Sequence, residues 1–206
     1  MKQRLHPICK LITPLKNKND TGSSESRLSD VVKRYEVIMK YNQKITLKDG
    51  REAWLRNCDF HDGAAVYDVF NATHAETDYL LTYPEENRFD PEQGTQYLKE
   101  KSESPNEIEI IAFVGDRVAG IAGIGAVGTK IKVRHRAEFG VSIMKEYWGL
   151  GLGKALANAC IQCAKEAGYI QLELNAVSEN TRAVSLYRYL GLLSNRAVTV
   201  VSMSER

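Results

Sequence analysis

The stretch EYWGLGLGKALANACIQCAKEAG, residues 146 to 168, sets the tightest limit on how this chain can fold. Three glycines alternate with larger residues. Apolar residues then recur as Leu152, Ala155, Leu156, Ala159, Cys160, Cys163, Ala164 and Ala167. That i, i+3, i+4 spacing is one face of a helix. Strand-like runs stand on both sides, AEFGVSIM at 137–144 and YIQLELNAV at 169–177. Strand, turn, helix and strand make a βαβ unit, whose two strands run parallel in one sheet. The glycine-rich turn then lies at a helix start, where unpaired amides and the helix dipole favour an anion. Glycine lets the backbone approach a phosphate with no Cβ in the way.

The flanking sequence extends this unit to a mixed α/β sheet. In ITLKDGREAWLRN, 45–57, Asp49-Gly50 separates two alternating runs and marks a hairpin. Val66, Val69, Phe70 and Thr73 repeat at helical spacing, which predicts a helix over about 62–75. Asp90 caps a second helix with Pro91 at its first position. EIEIIAFV, 107–114, and VAGIAGIGAV, 118–127, pair antiparallel across GDR. A last helix spans 181–190 with Gly191 at its C-terminal end, and one strand fits at about 197–203. The order reads β-β-α-α-β-β-β-α-β-α-β, a mostly antiparallel sheet flanked by helices. Residues 13–30, TPLKNKNDTGSSESRLSD, lack large apolar groups and read as a flexible arm. Residues 31–41 suit a helix or a strand equally. The expected division is an arm over 1–40 and a domain over 41–206.

Composition narrows the function. With 28 basic and 26 acidic residues, the net charge of +2 gives no electrostatic case for a nucleic-acid partner. No apolar run reaches the ~18 residues that span a bilayer, and the N-terminus lacks the apolar core of a signal peptide. Four cysteines in 206 residues are too few for a disulfide scaffold, so reduced thiols and a cytoplasmic location are expected.

Three phosphate-loop patterns compete for the glycines. A nucleotide P-loop would use Gly153-Lys154, but Trp148 stands at its first glycine and Ala155 lacks the hydroxyl for magnesium. A dinucleotide fingerprint started at Gly149 ends on Lys154, and started at Gly151 it ends on Leu156. Only Glu173, placed where a ribose-binding carboxylate belongs, suits a dinucleotide-dependent oxidoreductase. The third pattern runs Trp148-Gly149-Leu150-Gly151-Leu152-Gly153. With AEFGVSIM before it and SENTRAVSLYRYLGL after it, this loop resembles the pyrophosphate loop of the GNAT (Gcn5-related N-acetyltransferase) superfamily. The last segment is similar to that family's N-x-x-A-x-x-L-Y-x-x-x-G-F. The resemblance covers residues 41–192 and is strongest over 137–191.

The resemblance implies acetyl transfer from acetyl-CoA, with no metal, to a primary amine of a small molecule or protein in a ternary complex. It implies that strands 137–144 and 170–177 splay apart around the pantetheine arm. Amides of Val141, Ser142 and Ile143 would then bond the arm and the thioester. Trp148, Gly149, Leu150, Gly151, Leu152 and Gly153 would hold the pyrophosphate. Asn180 would contact the arm while capping its helix, and Tyr187 would protonate the thiolate. Glu138 is the candidate base, with Glu173 second. Strand alternation puts Glu138, Gly140 and Ser142 on one face and Phe139, Val141 and Ile143 on the other.

The chain departs from the family at Trp148, where Arg or Gln is usual, at Leu192, where Phe is usual, and in a tail too short for the usual C-terminal hairpin. A shortened fold, a strand borrowed from a second copy in a homodimer, or an altered end would follow. The last of these favours a noncatalytic acyl-CoA-binding module. Other signals read as structural. Cys160 and Cys163 lie on the apolar helix face and are expected to be buried. His6, His61, His74 and His135 lack ligand spacing. KIKVRHR, 130–136, reads as a solvated loop or an attractor for the cofactor's 3′-phosphate. YLLTYPEE, 79–86, is a surface loop that could line the acceptor side.

Overall fold

Asp49-Gly50 turns the first hairpin: Gly50 is left-handed (φ 87°) and Asp49 accepts a hydrogen bond from the Arg51 amide at 3.1 Å. The hairpin joins β1 (Asn42–Thr46) to β2 (Glu52–Asn57). The computed structural model describes residues 38–80, 82–83, 91–192 and 198–201. Helices α1 (Gly63–Glu76) and α2 (Pro91–Glu103) follow. Strands β3 (Ile108–Val114), β4 (Arg117–Ala126) and β5 (Arg136–Ile143) then meander antiparallel. After β5 the chain forms α3 (Leu152–Glu166), β6 (Gln171–Val177), α4 (Thr181–Tyr189) and β7 (Val198–Val201). The strands lie in chain order across one sheet, antiparallel through β5 and parallel at β5–β6 and β6–β7.

Two helical layers cover this sheet because its central strands are apolar on both faces. On one face Ile108, Ile110, Ala122, Ile124 and Phe139 pack against Leu152, Leu156, Ala159, Cys160 and Cys163 of α3 and Tyr187 of α4. On the other, Ile111 and Ile121 pack with Cys58, Val69 of α1 and Leu98 of α2. Cys58, Cys160 and Cys163 are buried free thiols, as the helical spacing predicts for the last two.

The elements agree with the sequence reading to within a residue or two at most ends. The arm expected over 1–40 and the Asp90 cap lie outside the described residues, apart from Ile38–Lys40, of which Met39 is buried. At the C-terminus β7 runs parallel to β6, with Leu174 opposite Val198, so β6–α4–β7 is a second βαβ unit. A two-stranded hairpin does not occur there among the described residues. No helix among them is long and apolar enough to cross a membrane.

Leu156 is fully buried between α3 and the sheet. Leu156→Ala is expected to cost about 2–5 kcal/mol in a urea melt, and a loss under about 1 kcal/mol would contradict this packing.

Candidate functional site

The site begins where two strands stop pairing. β5 and β6 are in register only at Arg136↔Gln171, Ala137↔Leu172 and Glu138↔Glu173. Beyond that, β5 stays paired with β4 as far as Ile143↔Gly120, while β6 pairs with β7 from Leu174 to Val177. The edge of β5 from Phe139 to Ile143 that faces β6 is therefore open. The closed end of the seam is pinned by polar contacts. Arg136 grips Glu173 through Nε and Nη2, the latter at 2.7 Å, and Asn175 Nδ2 donates to Glu138 Oε1 at 2.9 Å. The Arg136 hydrogen bond holds the Glu173 carboxyl below its usual range, which disfavours it as a proton acceptor.

At the open end of β5 the chain enters the glycine loop. The Trp148 indole N–H donates to the Ile143 carbonyl at 2.7 Å and turns the chain back. Gly149 (φ 79°) and Gly151 (φ 94°) are left-handed, a region that other L-residues reach only with strain. Gly151 caps α3 without a side chain, so the first amides of the helix face outward. Gly153 serves a different purpose: a Cβ there would stand 3.1 Å from Ile143 Cδ1 and 3.4 Å from Leu186 Cδ2, so glycine draws α3 onto β5 and α4. Leu152 is buried and Leu150 packs against the core, so each offers a ligand only its backbone.

A groove of about 810 Å³ runs along the seam and the loop. Val141, Ser142, Ile143, Trp148, Gly149, Gly151, Gly153, Asn180 and Tyr187 all line it. Asn180 Oδ1 accepts from the Ala183 amide at 3.1 Å, a helix cap that leaves the carboxamide NH₂ group as its donor. Tyr187 is buried, its ring edge-on to Phe139 at 6.2 Å, and burial pushes its hydroxyl up to about 12. Among the described residues, three cations, Lys48, Lys154 and Arg182, rim the groove, whereas Lys130–His135 do not reach it.

A second cavity, of about 480 Å³, lies on the opposite face of the sheet beneath α1 and α2. Its floor includes Gly123 and Gly125 of β4 and Glu138, Gly140 and Ser142 of β5, and its walls include Tyr67, Phe70 and Tyr97. The face that alternation assigned to Glu138, Gly140 and Ser142 is thus the cavity face, while Phe139, Val141 and Ile143 pack toward the core. Ser142 borders both cavities, so groove and cavity meet at β5. In the 79–86 loop, Tyr79 and Leu80 line the larger groove rather than this cavity. Leu81 and 84–86 lie outside the described residues.

Residues 66–192 match the acetyltransferase (GNAT) family. The chain belongs to this family. No curated protein sequence matches it. A GNAT-family acetyltransferase from Streptococcus pneumoniae is similar at 29% identity and TM-score 0.64, covering 68% of this chain and 83% of that one. A putative acetyltransferase from Salmonella typhimurium, solved with its cofactor acetyl-CoA, shares the fold at 21% identity and TM-score 0.59, covering 66% and 77%. A ribosomal-protein-alanine N-acetyltransferase from Brucella melitensis does so at 23% identity and TM-score 0.59, covering 66% and 82%. Among the described residues of this GNAT protein, no cluster of His, Cys, Asp and Glu could hold a metal.

Two polar residues of this GNAT site escaped the sequence reading. The Arg182 guanidinium lies over the Trp148 ring at 5.1 Å, with Nη1 3.7 Å from where a Gly149 Cβ would stand. The positive charge that Trp148 removes from the loop thus returns from α4. One signal was available: a cation in the first turn of a helix opposes the dipole and needs another reason to be there. The second residue is Glu109, near the start of β3 and opposite Gly123. A Cβ on Gly123 would overlap Glu109 Oε2, so the glycine makes room for the carboxylate. Tyr97 Oη donates to that oxygen at 3.3 Å. Burial raises the Glu109 carboxyl to about 7, against the opposing pull of Lys101 and Tyr97. Its signal was a carboxylate inside the apolar run EIEII.

A carboxyl with a raised folded pKa contributes stability that is present below its unfolded value and lost as pH rises through the folded one. For Glu109 that window runs from 4.5 to about 7. Glu109→Gln is therefore expected to match the wild type at pH 4 and to exceed it by up to about 3 kcal/mol at pH 8. Equal thermal stability of the two proteins at both pH values would contradict the raised carboxyl.

Proposed function

We propose that this protein acetylates a primary amine using acetyl-CoA, with both substrates bound together. The observation that carries the reading is that the two cavities meet at Ser142. One is lined by an open strand edge, a glycine loop and cations, and the other by carboxylates and aromatic rings. The fit to acetyl-CoA rests on the left-handed glycines, the free helix amides and the three rim cations. The bound acetyl-CoA in the Salmonella relative of the same fold supports it. When bound, acetyl-CoA supplies an acetyl group activated as a thioester.

Each residue then has a task. Amides of Val141, Ser142 and Ile143 bond the pantetheine arm and polarise the carbonyl. Backbone of Gly149 to Gly153 and the Arg182 guanidinium hold the pyrophosphate, stacked above Trp148. Asn180 donates to the arm. Tyr187 keeps its proton at every working pH. A thiol titrates near 8.5, below the tyrosine, so this hydroxyl acts as a hydrogen-bond donor to the departing sulfur. An alkyl ammonium titrates at about 10 and must lose a proton before it can attack. Glu138, at the cavity floor, is one carboxylate placed to receive it. A binding module without turnover is the second reading, favoured by the single C-terminal strand, in place of a hairpin, among the described residues.

Thermal melting separates these readings from a dinucleotide enzyme. Acetyl-CoA and coenzyme A at 100 times their dissociation constants are expected to stabilise the protein by about 2.7 kcal/mol, and NAD not at all. A shift with NAD alone would sink the proposal. Thiol release with an amine panel then distinguishes enzyme from binder. Tyr187→Phe is expected to lower kcat about 10²-fold while leaving the acetyl-CoA melting shift intact. Arg182→Met is expected to reduce that shift and weaken its dependence on salt. Loss of the shift in Tyr187→Phe, or its retention in Arg182→Met, would contradict the roles given to them.

A further inference from the structure

The cavity beneath α1 and α2 is suited to a cation, because among the described residues no cation forms an ion pair with Glu109 in its wall. Lys101 lines it, but its ammonium is already paired with Glu107 at 2.7 Å and leans on the Ile124 carbonyl at 3.5 Å. That leaves Glu109 and Glu138 as two carboxylates in one cavity, with no ion pair to either among the described residues. They differ in setting. Glu138 is exposed and held by Asn175, whereas Glu109 is half-buried near the start of β3, with Tyr97 as its hydrogen-bond donor. Among the described residues, the titratable groups around Glu109 are Tyr97 and Lys101 from α2, Tyr67 from α1, Cys58 after β2, Cys160 from α3, Glu107 just before its own strand and Glu138 from β5. Apart from Ser142, the remaining described lining, with Val66 and Phe70, is glycine, apolar or aromatic.

We propose that Glu109 receives the acceptor's ammonium in this cavity and takes its proton, and that the acceptor is a primary amine on a compact apolar body. The proposal rests on the acetyl-transfer reading above and specifies its acceptor side. The cavity of about 480 Å³ is sized for a small ligand. A cation on an apolar body satisfies its aromatic walls and its carboxylate at once. A base that titrates near working pH is ionised often enough to accept a proton and basic enough to hold it, and Glu109 at about 7 meets both needs. R–NH₃⁺ and the Glu109 carboxylate become R–NH₂ and the carboxylic acid. The nitrogen lone pair forms the C–N bond at the thioester carbonyl, and the C–S bond breaks with its electron pair on sulfur. The nitrogen sheds a second proton, sulfur gains one, and Glu109 releases its own to solvent. Gly123 is part of the device, because any side chain there would displace the carboxylate.

The first test needs no turnover. In protein labelled with ¹³C-glutamate, the Glu109 carboxyl, assigned through its connectivities and by its loss in Glu109→Gln, is followed from pH 4 to 9. The added amines are 2-phenylethylamine, hexylamine and putrescine. The expected result is titration near 7 in the free protein, lowered by at least one unit by 2-phenylethylamine or hexylamine and unmoved by putrescine. Titration near 4 in the free protein, or no response to either apolar amine, overturns the proposal. The second test measures acetylation of the amine that binds. Glu109→Gln is expected to lower kcat/KM at least 100-fold and to abolish its acid limb, while keeping the acetyl-CoA melting shift that reports a folded cofactor site. If Glu138→Gln removes the limb and Glu109→Gln does not, Glu109 is not the base. If acetyl-CoA gives no melting shift while the ammonium still lowers the Glu109 titration, acetyl transfer fails and Glu109 stands as an ammonium site.

Discussion

The site depends on β5 having a neighbour along its whole length on one side and along only its first part on the other. Pairing with β6 ends at Glu138↔Glu173, where both strands are still inside the sheet. A buried strand edge without partners is costly, since unpaired amides and carbonyls lose their hydrogen bonds to water. Such an edge persists when surrounding structure holds it open and a ligand completes it. Here β4 holds β5 from one side, β7 takes β6 from the other, and Arg136 with Glu173 marks where the two part.

Electrostatics divides the two cavities by sign. The groove along the loop carries helix amides and Lys48, Lys154 and Arg182, a setting that favours phosphates. The cavity across the sheet carries Glu109 and Glu138, a lining that suits the ammonium proposed for it. β5 separates them by one strand thickness, with Ser142 on the border of both. In the proposed reaction, opposite charges are recognised at a distance while the reacting atoms meet at one strand. The raised Glu109 carboxyl also means that the fold gives up stability near neutral pH, a trade common where stability and function compete and in keeping with the base proposed there.

Much of this was legible because it is local. The glycine loop, the helix face through Cys160 and Cys163, the Asp49-Gly50 turn and the alternation that exposes Glu138 are all written in spacings of a few residues. Glu109 and Arg182 were not legible as site residues because their roles depend on partners far along the chain. Glu109 needs Gly123 across the ladder and Tyr97 from a helix, and Arg182 needs the Trp148 ring. In one dimension Trp148 looked like a lost phosphate contact; in three it is the surface on which a replacement cation rests. The parallel run of β7 was likewise hidden, because a four-residue apolar run fits either direction.

The account stands on the open edge of β5 and the amides at the start of α3 receiving one ligand together. Its most direct test is an amide N–H spectrum of ¹⁵N-labelled protein titrated with coenzyme A. Large shifts shared by Val141–Ile143 and Leu150–Gly153, saturating at one ligand per chain, are the predicted result. Saturable shifts that leave both segments unmoved, or no saturable shifts at all, would contradict it.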